Sequence, residues 1–248
     1  MPSCDIIHGE GHLKDVDLNT NTSLVYALLA GILPSLIWLI FWLREDANPE
    51  PRLLVILLFV GGMVGVAAAI VAERYTGDII SNGQLRFTVW AAIEEGIKFL
   101  VVAVIALNTD FNDEPIDAMM YCIVAALGFS ALENALFIMQ PLSTGAIAQS
   151  IIEGNMRFVG ATLVHIVSSA CVGFGLGMAF YRGYLAKAVG LVIGLGAAIS
   201  LHAAFNLSII NTSSLDTLKV FGWVWAAVVV LIVLFEEIKS VRPKTLVP

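Results

Sequence analysis

Ile93-Glu94-Glu95-Gly96-Ile97-Lys98 places two adjacent carboxylates and a lysine inside the run Phe87–Leu107, which is otherwise almost wholly apolar. A charged residue at the centre of a membrane helix costs about 2.5–3.5 kcal/mol on insertion scales, so such residues are rare and point to function. The competing interpretation is a structural ion pair, because Lys98 follows the two glutamates by three and four residues. The rest of the chain bears on this choice.

The composition places the chain among membrane proteins. Of its 248 residues, 58% are hydrophobic and only 13% are charged, whereas soluble domains carry about 25% charged residues. The net charge of −7 leaves no basic stripe to neutralise phosphates, so we expect no nucleic-acid partner. Three scattered cysteines without a Cys-x-x-Cys pair argue against a disulfide framework or a thiolate zinc site.

Seven apolar runs are long enough to cross a bilayer, since a span needs about 20 mainly apolar residues. We predict an all-α, polytopic transmembrane helical bundle of about seven spans, residues 23–236, between a polar N-terminal tail, 1–22, and a short basic C-terminal tail, 237–248. The segment Gln140–Arg157 has room for a short interfacial helix. The seven runs are Ser23–Leu43, Leu53–Ala72, Phe87–Leu107, Ile116–Met139, Phe158–Tyr181, Ala188–Ile210 and Lys219–Phe235.

The distribution of lysine and arginine predicts the orientation of the bundle. Seven spans put the two termini on opposite sides of the membrane. Seven basic residues fall on the side of the C-terminus and five on the side of the N-terminus. We therefore expect the C-terminus in the cytoplasm and the N-terminus outside.

Polar side chains recur within four of the predicted spans. At 1.5 Å per residue, Glu95, Glu133, His165 and His202 lie about 3, 7, 6 and 5 Å from the midpoints of their spans, all toward the same side. Alternate helices run in opposite directions, so this agreement in depth indicates one shared polar site. Asn206 follows His202 by four residues and therefore lies on the same helix face.

Two chemistries fit this set of residues. Glu133, His165 and His202 can bind one metal ion, because carboxylate and imidazole are ordinary zinc ligands. Alternatively, one of the paired glutamates acts directly on water as a general base, and His202 and Asn206 donate hydrogen bonds to a developing oxyanion. A lone histidine or asparagine in a membrane is more often an interhelical hydrogen-bonding residue, so the functional interpretation depends on the whole set.

Five pieces of the sequence occur in a recognisable order: Pro49-Glu50-Pro51, Glu94-Glu95-x-x-Lys98, Gly128-Phe129-x-x-x-Glu133-Asn134, His165 and His202-x-x-x-Asn206. From about Asp46 to Asn206 the chain resembles the PrsW family of intramembrane proteases. That family belongs to a wider group with the type II CAAX prenyl proteases and bacteriocin-processing or immunity proteins. No arginine like that of the prenyl proteases follows the glutamate pair, and Lys98 takes the PrsW-like position. Glu133 stands where the prenyl proteases carry a histidine. Both departures favour PrsW. There is no His-Glu-x-x-His, so the common zincin mechanism is not assumed.

The resemblance implies a membrane-embedded peptidase in a bacterial plasma membrane. It implies zinc or another divalent metal as cofactor. It also implies a membrane-anchored protein substrate, such as an anti-sigma factor that is cut on its outer side. Asn206 would assist His202. By similarity, the catalytic centre consists of Glu94, Glu95, Glu133, His165 and His202.

Two other functions stay open from the residues alone. A proton-coupled transporter also uses buried glutamate, histidine and lysine, although the internal repeat found in many carriers is not visible here. A non-catalytic immunity or scaffold protein would act through binding. Either Glu94 or Glu95 can be the base, because adjacent positions allow either rotation of the helix, and no pattern in the sequence indicates an oligomeric state.

Overall fold

A computed structural model describes residues 20–46, 48–210 and 214–243. Over these residues the chain is helical apart from short connections and contains no strand, which confirms the all-α prediction. Most of the predicted N-terminal tail lies outside the described residues. The helices are α1 (Thr20–Glu45), α2 (Arg52–Ile79), α3 (Gly83–Ile105), α4 (Asp117–Ser143), α5 (Ile147–Met156), a π-helical turn (Arg157–Ala161), α6 (Thr162–Met178), α7 (Tyr184–Ile210) and α8 (Ser214–Lys239).

Six helical stretches in the described part of the chain are long and apolar enough to cross a membrane. Five are α1, α2, α4, α7 and α8, and the sixth is Ile147–Met178, in which α5, the π turn and α6 run on without a break. The remaining predicted span is α3. Its 23 residues extend roughly 34 Å, but Glu94, Glu95 and Lys98 lower its apolar character. The protein is thus an integral multi-pass membrane protein. A short helix was expected at the interface in Gln140–Arg157, and α5 lies there, but it forms the first part of the continuous stretch Ile147–Met178.

The outer faces of the bundle are apolar. Large exposed side chains include Val64 and Val71 on α2, Val192 on α7 and Val229 on α8. The backbone polar groups of these helices are satisfied within each helix, as hydrocarbon requires. These faces suit contact with lipid.

Helix α4 forms the centre of the bundle, because most of its residues are buried and it packs against α1, α2 and α6. Small residues make this possible. A Cβ atom at Gly128 would collide with the carbonyl oxygen of Phe59, and one at Gly62 with that of Ala125, so α2 and α4 touch along their backbones. Helices α3, α6 and α7 pack against one another beside α4, and the polar side chains meet there.

Polar side chains fix the first residues of α3 and α4, two of the helices that carry polar residues into the bundle. Asn82 caps α3, since its side-chain oxygen accepts a hydrogen bond from the Leu85 amide at 3.0 Å. Asp117, the first residue of α4, accepts from the amides of Asp113 and Glu114 at 2.8 and 2.6 Å. These bonds set where α3 and α4 begin, and hence which of their residues reach the centre of the bundle.

Candidate active site

Four helices and the π turn bring their polar residues to one cluster inside the apolar bundle. Helix α3 supplies two carboxylates and a lysine, α4 a carboxylate and an amide, the π turn an arginine, α6 a histidine and a serine, and α7 a histidine and an amide. These residues are Glu94, Glu95, Lys98, Glu133, Asn134, Arg157, His165, Ser169, His202 and Asn206.

Glu95 is fully buried and has partners on both carboxylate oxygens. Lys98 Nζ donates to Oε1 at 2.7 Å, and His202 Nδ1 lies 2.8 Å from the same oxygen. Ser169 Oγ donates to Oε2 at 2.7 Å. A buried charge is tolerated when it is paired and hydrogen-bonded in this way. Glu95 therefore links α3 to α6 and α7.

Glu94, the preceding residue, has different surroundings. Its Oε2 atom is buried and has no hydrogen-bond partner among the described residues. That atom lies 3.8 Å from His165 Nδ1, 3.8 Å from His202 Nε2 and 3.7 Å from Lys98 Nζ. All three separations exceed hydrogen-bond length. A buried carboxylate oxygen without a partner is costly, which favours a position that serves a ligand or a reactant.

Glu133 ties α4 to the π turn and to α6. Its Oε2 atom accepts from Arg157 Nη2 at 2.6 Å and lies 2.9 Å from His165 Nε2. Arg157 also donates from Nε to the side-chain oxygen of Asn134 at 2.6 Å. One guanidinium thus holds two successive residues of α4.

The hydrogen bonds assign the protonated nitrogen of each imidazole. The Lys98 ammonium can only donate, so His165 Nδ1, at 2.7 Å from Lys98 Nζ, accepts, and His165 Nε2 donates to Glu133. In the neutral form of His202, Nδ1 donates to the Glu95 carboxylate, and Nε2 then carries no proton. His165 Nδ1 and His202 Nε2 each lie 3.8 Å from Glu94 Oε2.

A cavity of about 580 Å³ opens beside this cluster. Glu94, Glu133, His165 and His202 line it, whereas Glu95 does not. Asn206 also lies on its wall. Most of the remaining lining is apolar and aromatic, so the cavity can take a chain segment with apolar side chains next to ionisable groups.

Glu94, His165 and His202 have the arrangement of a metal site. One ligand atom from each lies within 4.8 Å of the others. Two imidazoles and a carboxylate form a common donor set of catalytic zinc sites, which keep a further position open for water. The other nitrogen of each histidine contacts a carboxylate, Glu133 or Glu95, as is usual for metal-binding histidines. These residues fit a divalent ion, although an ion on His165 Nδ1 must displace the hydrogen bond from Lys98.

Residues 50–235 match the sequence model of the PrsW family, described as intramembrane metalloproteases. The chain belongs to this family. Protease PrsW of Geobacillus kaustophilus is 28% identical over 154 residues, which cover 60% of this chain and 65% of that protein, slightly less than two thirds of its length. Protease PrsW of Shouchella clausii is 24% identical over 187 residues, or 74% of this chain and 83% of that protein. No solved structure matches the chain.

Membership of the PrsW family confirms the family predicted from the sequence. The description of the family as metalloproteases agrees with the group formed by Glu94, His165 and His202. Relatives in bacteria agree with a bacterial membrane protein.

The structure brings the six residues predicted from the sequence to one place, but it distributes their contacts differently. Glu94 stands in the three-residue metal group, where sequence reasoning placed Glu133. The Glu133 carboxylate instead pairs with Arg157 and with the outer nitrogen of His165. Asn206, the predicted partner of His202, lines the cavity, while His202 is hydrogen-bonded to Glu95.

Sequence reasoning missed two residues of the cluster. Ser169 follows His165 by four residues, and that spacing on one helix face was a usable signal. Arg157 ends the predicted loop segment Gln140–Arg157, but its side chain is only 16% exposed and is paired with Glu133. No spacing rule indicated this, because the π turn that places Arg157 has no recognisable sequence pattern.

Proposed function

We propose that the protein is a metal-dependent endopeptidase that cuts membrane-anchored proteins inside or at the edge of the bilayer, with Glu94 at the reaction centre. One observation supports this most strongly. Glu94 Oε2 is buried without a hydrogen-bond partner among the described residues and lies 3.8 Å from one ring nitrogen of each of two histidines, and Glu94 lines a cavity.

Glu94 Oε2, His165 Nδ1 and His202 Nε2 would hold a divalent ion, with zinc the first candidate. Bound there, the ion would polarise the scissile carbonyl and lower the pKa of bound water. Glu133 and Glu95 orient the two histidines through their other nitrogens. Such outer contacts fix the tautomer and the direction of the ring.

The second oxygen of Glu94 is the proposed acceptor for a proton from the attacking water. The side chain keeps 8% exposure and lines the cavity although Oε2 itself is buried, so its remaining exposed surface faces the cavity. A general base needs hydrogen-bond reach of the proton that it removes. The same group then returns the proton to the leaving amine.

Asn206 is the proposed donor to the oxyanion that forms during the attack. It lies on the cavity wall one helical turn after His202, and it contacts the same space as Glu94. Donors placed where charge develops stabilise a transition state more than a ground state. We assign Asn206 this role in place of support for His202.

The proposed substrates are proteins with a single membrane anchor, and anti-sigma factors are the first class to test. The cavity lies between helices of the bundle and is lined largely by apolar and aromatic side chains, including Phe87, Trp90 and Phe129. The part of a substrate where its membrane span ends carries apolar side chains, which suit this apolar lining. Charged side chains in the cluster supply the polar environment that hydrolysis needs.

Cleavage by the purified protein, with and without metal, tests this function. A tagged single-span anti-sigma factor is the substrate, in detergent or in liposomes. We expect a strong chelator to abolish cleavage and zinc to restore it, and we expect no cleavage by His165→Ala or His202→Ala at any zinc concentration. The control is Arg74→Met, which removes an exposed charge on α2. Full cleavage by a demonstrably metal-free protein would contradict the proposed metal dependence. Full cleavage by both histidine variants would contradict the proposed location of the active site.

A further inference from the structure

We propose that Arg157 is a positioning residue of this site: it holds Glu133 against His165 Nε2 and so keeps His165 Nδ1 toward Glu94. The inference rests on the proposed function, because it gives His165 the role of a ligand. Neither the family match nor the sequence motifs assign a role to Arg157. The contacts that support it lie on α4, the π turn and α6.

The π turn explains how Arg157 reaches the site. In a regular α-helix residues are about 100° apart around the axis, so residues eight apart, such as Arg157 and His165, would point about 80° away from each other. In the π turn the Thr162 amide donates to the carbonyl oxygen of Arg157, five residues back. That wide turn takes up one additional residue. Arg157 and His165 then behave as residues seven apart, with directions that differ by about 20°.

The guanidinium is held on several sides. Nη2 donates to Glu133 at 2.6 Å, and Nε donates to Asn134 at 2.6 Å. Asn134 in turn donates to Thr162 Oγ1 at 2.9 Å, at the end of the π turn. The ring of Phe137 lies 3.9 Å from the guanidinium carbon. These contacts hold the guanidinium of Arg157 in one orientation, with its charge next to Glu133.

Removal of Arg157 frees both groups that it orders. Glu133 is 20% exposed to the cavity, and without its cation it can turn toward water there. His165 then loses the acceptor that fixes its Nε2 proton. The Lys98 contact at Nδ1 then remains, but an ion bound at Nδ1 must displace it. Among the described residues Glu133 is therefore the contact that fixes the ring orientation and tautomer needed for metal binding. Weaker metal binding follows from the loss of this contact.

Zinc affinity provides a test that does not depend on cleavage. Competition with a calibrated chelator gives the zinc Kd of the wild type and of Arg157→Met, Glu133→Gln and the double variant. We expect each single variant to bind zinc about 10- to 100-fold more weakly, as for other outer contacts of metal sites. We expect the double variant to match Glu133→Gln, because Arg157 acts through Glu133. Arg157→Lys should recover part of the affinity, since an ammonium reaches one of the two partners.

Arg74→Met is the matched control, because it removes an arginine outside the cluster, and it should leave the Kd unchanged. Wild-type zinc affinity in Arg157→Met would overturn the inference, as would losses that multiply in the double variant. If Arg157→Met does not fold, Arg157→Lys and Glu133→Gln make the same comparison. A wild type that binds no zinc would overturn the proposed metal alone. The cleavage rates of the wild type, Arg157→Met, Glu133→Gln and the double variant would then test the role of Arg157. A double variant that cleaves as fast as Glu133→Gln would support it, and losses that multiply would overturn it.

Discussion

The surroundings of Glu94 and of Glu95 differ, although the two residues are adjacent on α3. Glu95 faces α6 and α7, where Lys98, His202 and Ser169 occupy its oxygens. Glu94 faces the cavity, and its Oε2 lies beyond hydrogen-bond length from every neighbour described. Successive residues of a helix are about 100° apart, so one of two adjacent carboxylates can be built into the protein while the other is left for chemistry.

The two glutamates also differ in their distance from Lys98. Lys98 is 2.7 Å from Glu95 Oε1 and 3.7 Å from Glu94 Oε2, so its charge is committed to Glu95. A buried ion pair fixes geometry more reliably than it adds stability. Both initial interpretations of the Glu-Glu-x-x-Lys stretch therefore apply, one to each glutamate.

Glu94→Gln is expected to have the largest effect on cleavage. The rate should fall about 100- to 10,000-fold, the range for loss of a general acid or base. Thermal stability should hold, because Oε2 makes no hydrogen bond to the residues described. Cleavage of a single-span substrate and a melting curve in the same detergent measure both quantities. Retained cleavage would mean that Glu94 is not the reacting carboxylate.

Glu95→Gln is expected to lower stability as well as zinc affinity, because Glu95 also orients His202. Removal of one partner from a buried ion pair costs about 3–5 kcal/mol, because the other charge is left without compensation. Equilibrium unfolding in mixed micelles measures the loss. The double variant Glu95→Gln with Lys98→Met should recover part of it, since it removes the stranded ammonium. Equal stability of the wild type and Glu95→Gln would contradict the structural role of Glu95.

Asn206→Ala should lower kcat about 100- to 1,000-fold, the cost of losing one oxyanion donor. KM and zinc affinity should stay close to wild type, because no hydrogen bond joins Asn206 to the proposed metal ligands among the described residues. Steady-state kinetics and the chelator competition separate these quantities. A loss of zinc affinity would instead return Asn206 to the role of a support for His202.

Glu50 provides a carboxylate away from the site, where the effect should be smallest. It accepts a hydrogen bond from Tyr121 at 2.7 Å, and Tyr121 precedes Glu133 on α4 by 12 residues, or roughly 18 Å. Burial raises the pKa of Glu50 above its ordinary value of 4.5, and nearby Asp46, Asp113 and Glu114 raise it further, against the effect of the tyrosine bond.

A raised pKa in the folded protein means that Glu50 contributes stability below pH 4.5 that is lost as the pH rises through the raised value. Glu50→Gln, which cannot ionise, should therefore flatten the melting temperature between pH 4.5 and neutrality and leave cleavage unchanged. Melting curves over that pH range make the check. A large loss of cleavage would show that a carboxylate outside the cavity also contributes to activity.

Much of this arrangement was predictable because a membrane restricts what a sequence can do. Apolar length located the spans, and the displacement of Glu95, Glu133, His165 and His202 toward the same side of the membrane indicated one cluster. The choice between Glu94 and Glu95 was not predictable, because the rotation of α3 is set by its partners on α6 and α7. The position of Arg157 was not predictable for a related reason. A π turn rotates the residues before it relative to those after it, and no sequence pattern marks such a turn.

The most direct test of the difference between the two glutamates is a zinc-edge anomalous difference map from crystals of the zinc-loaded protein. We predict a single peak in the bundle, about 2.0–2.2 Å from Glu94 Oε2, His165 Nδ1 and His202 Nε2, with Lys98 moved off His165 and retained by Glu95. A peak bound by Glu133 or Glu95 in place of Glu94 would contradict the assignment.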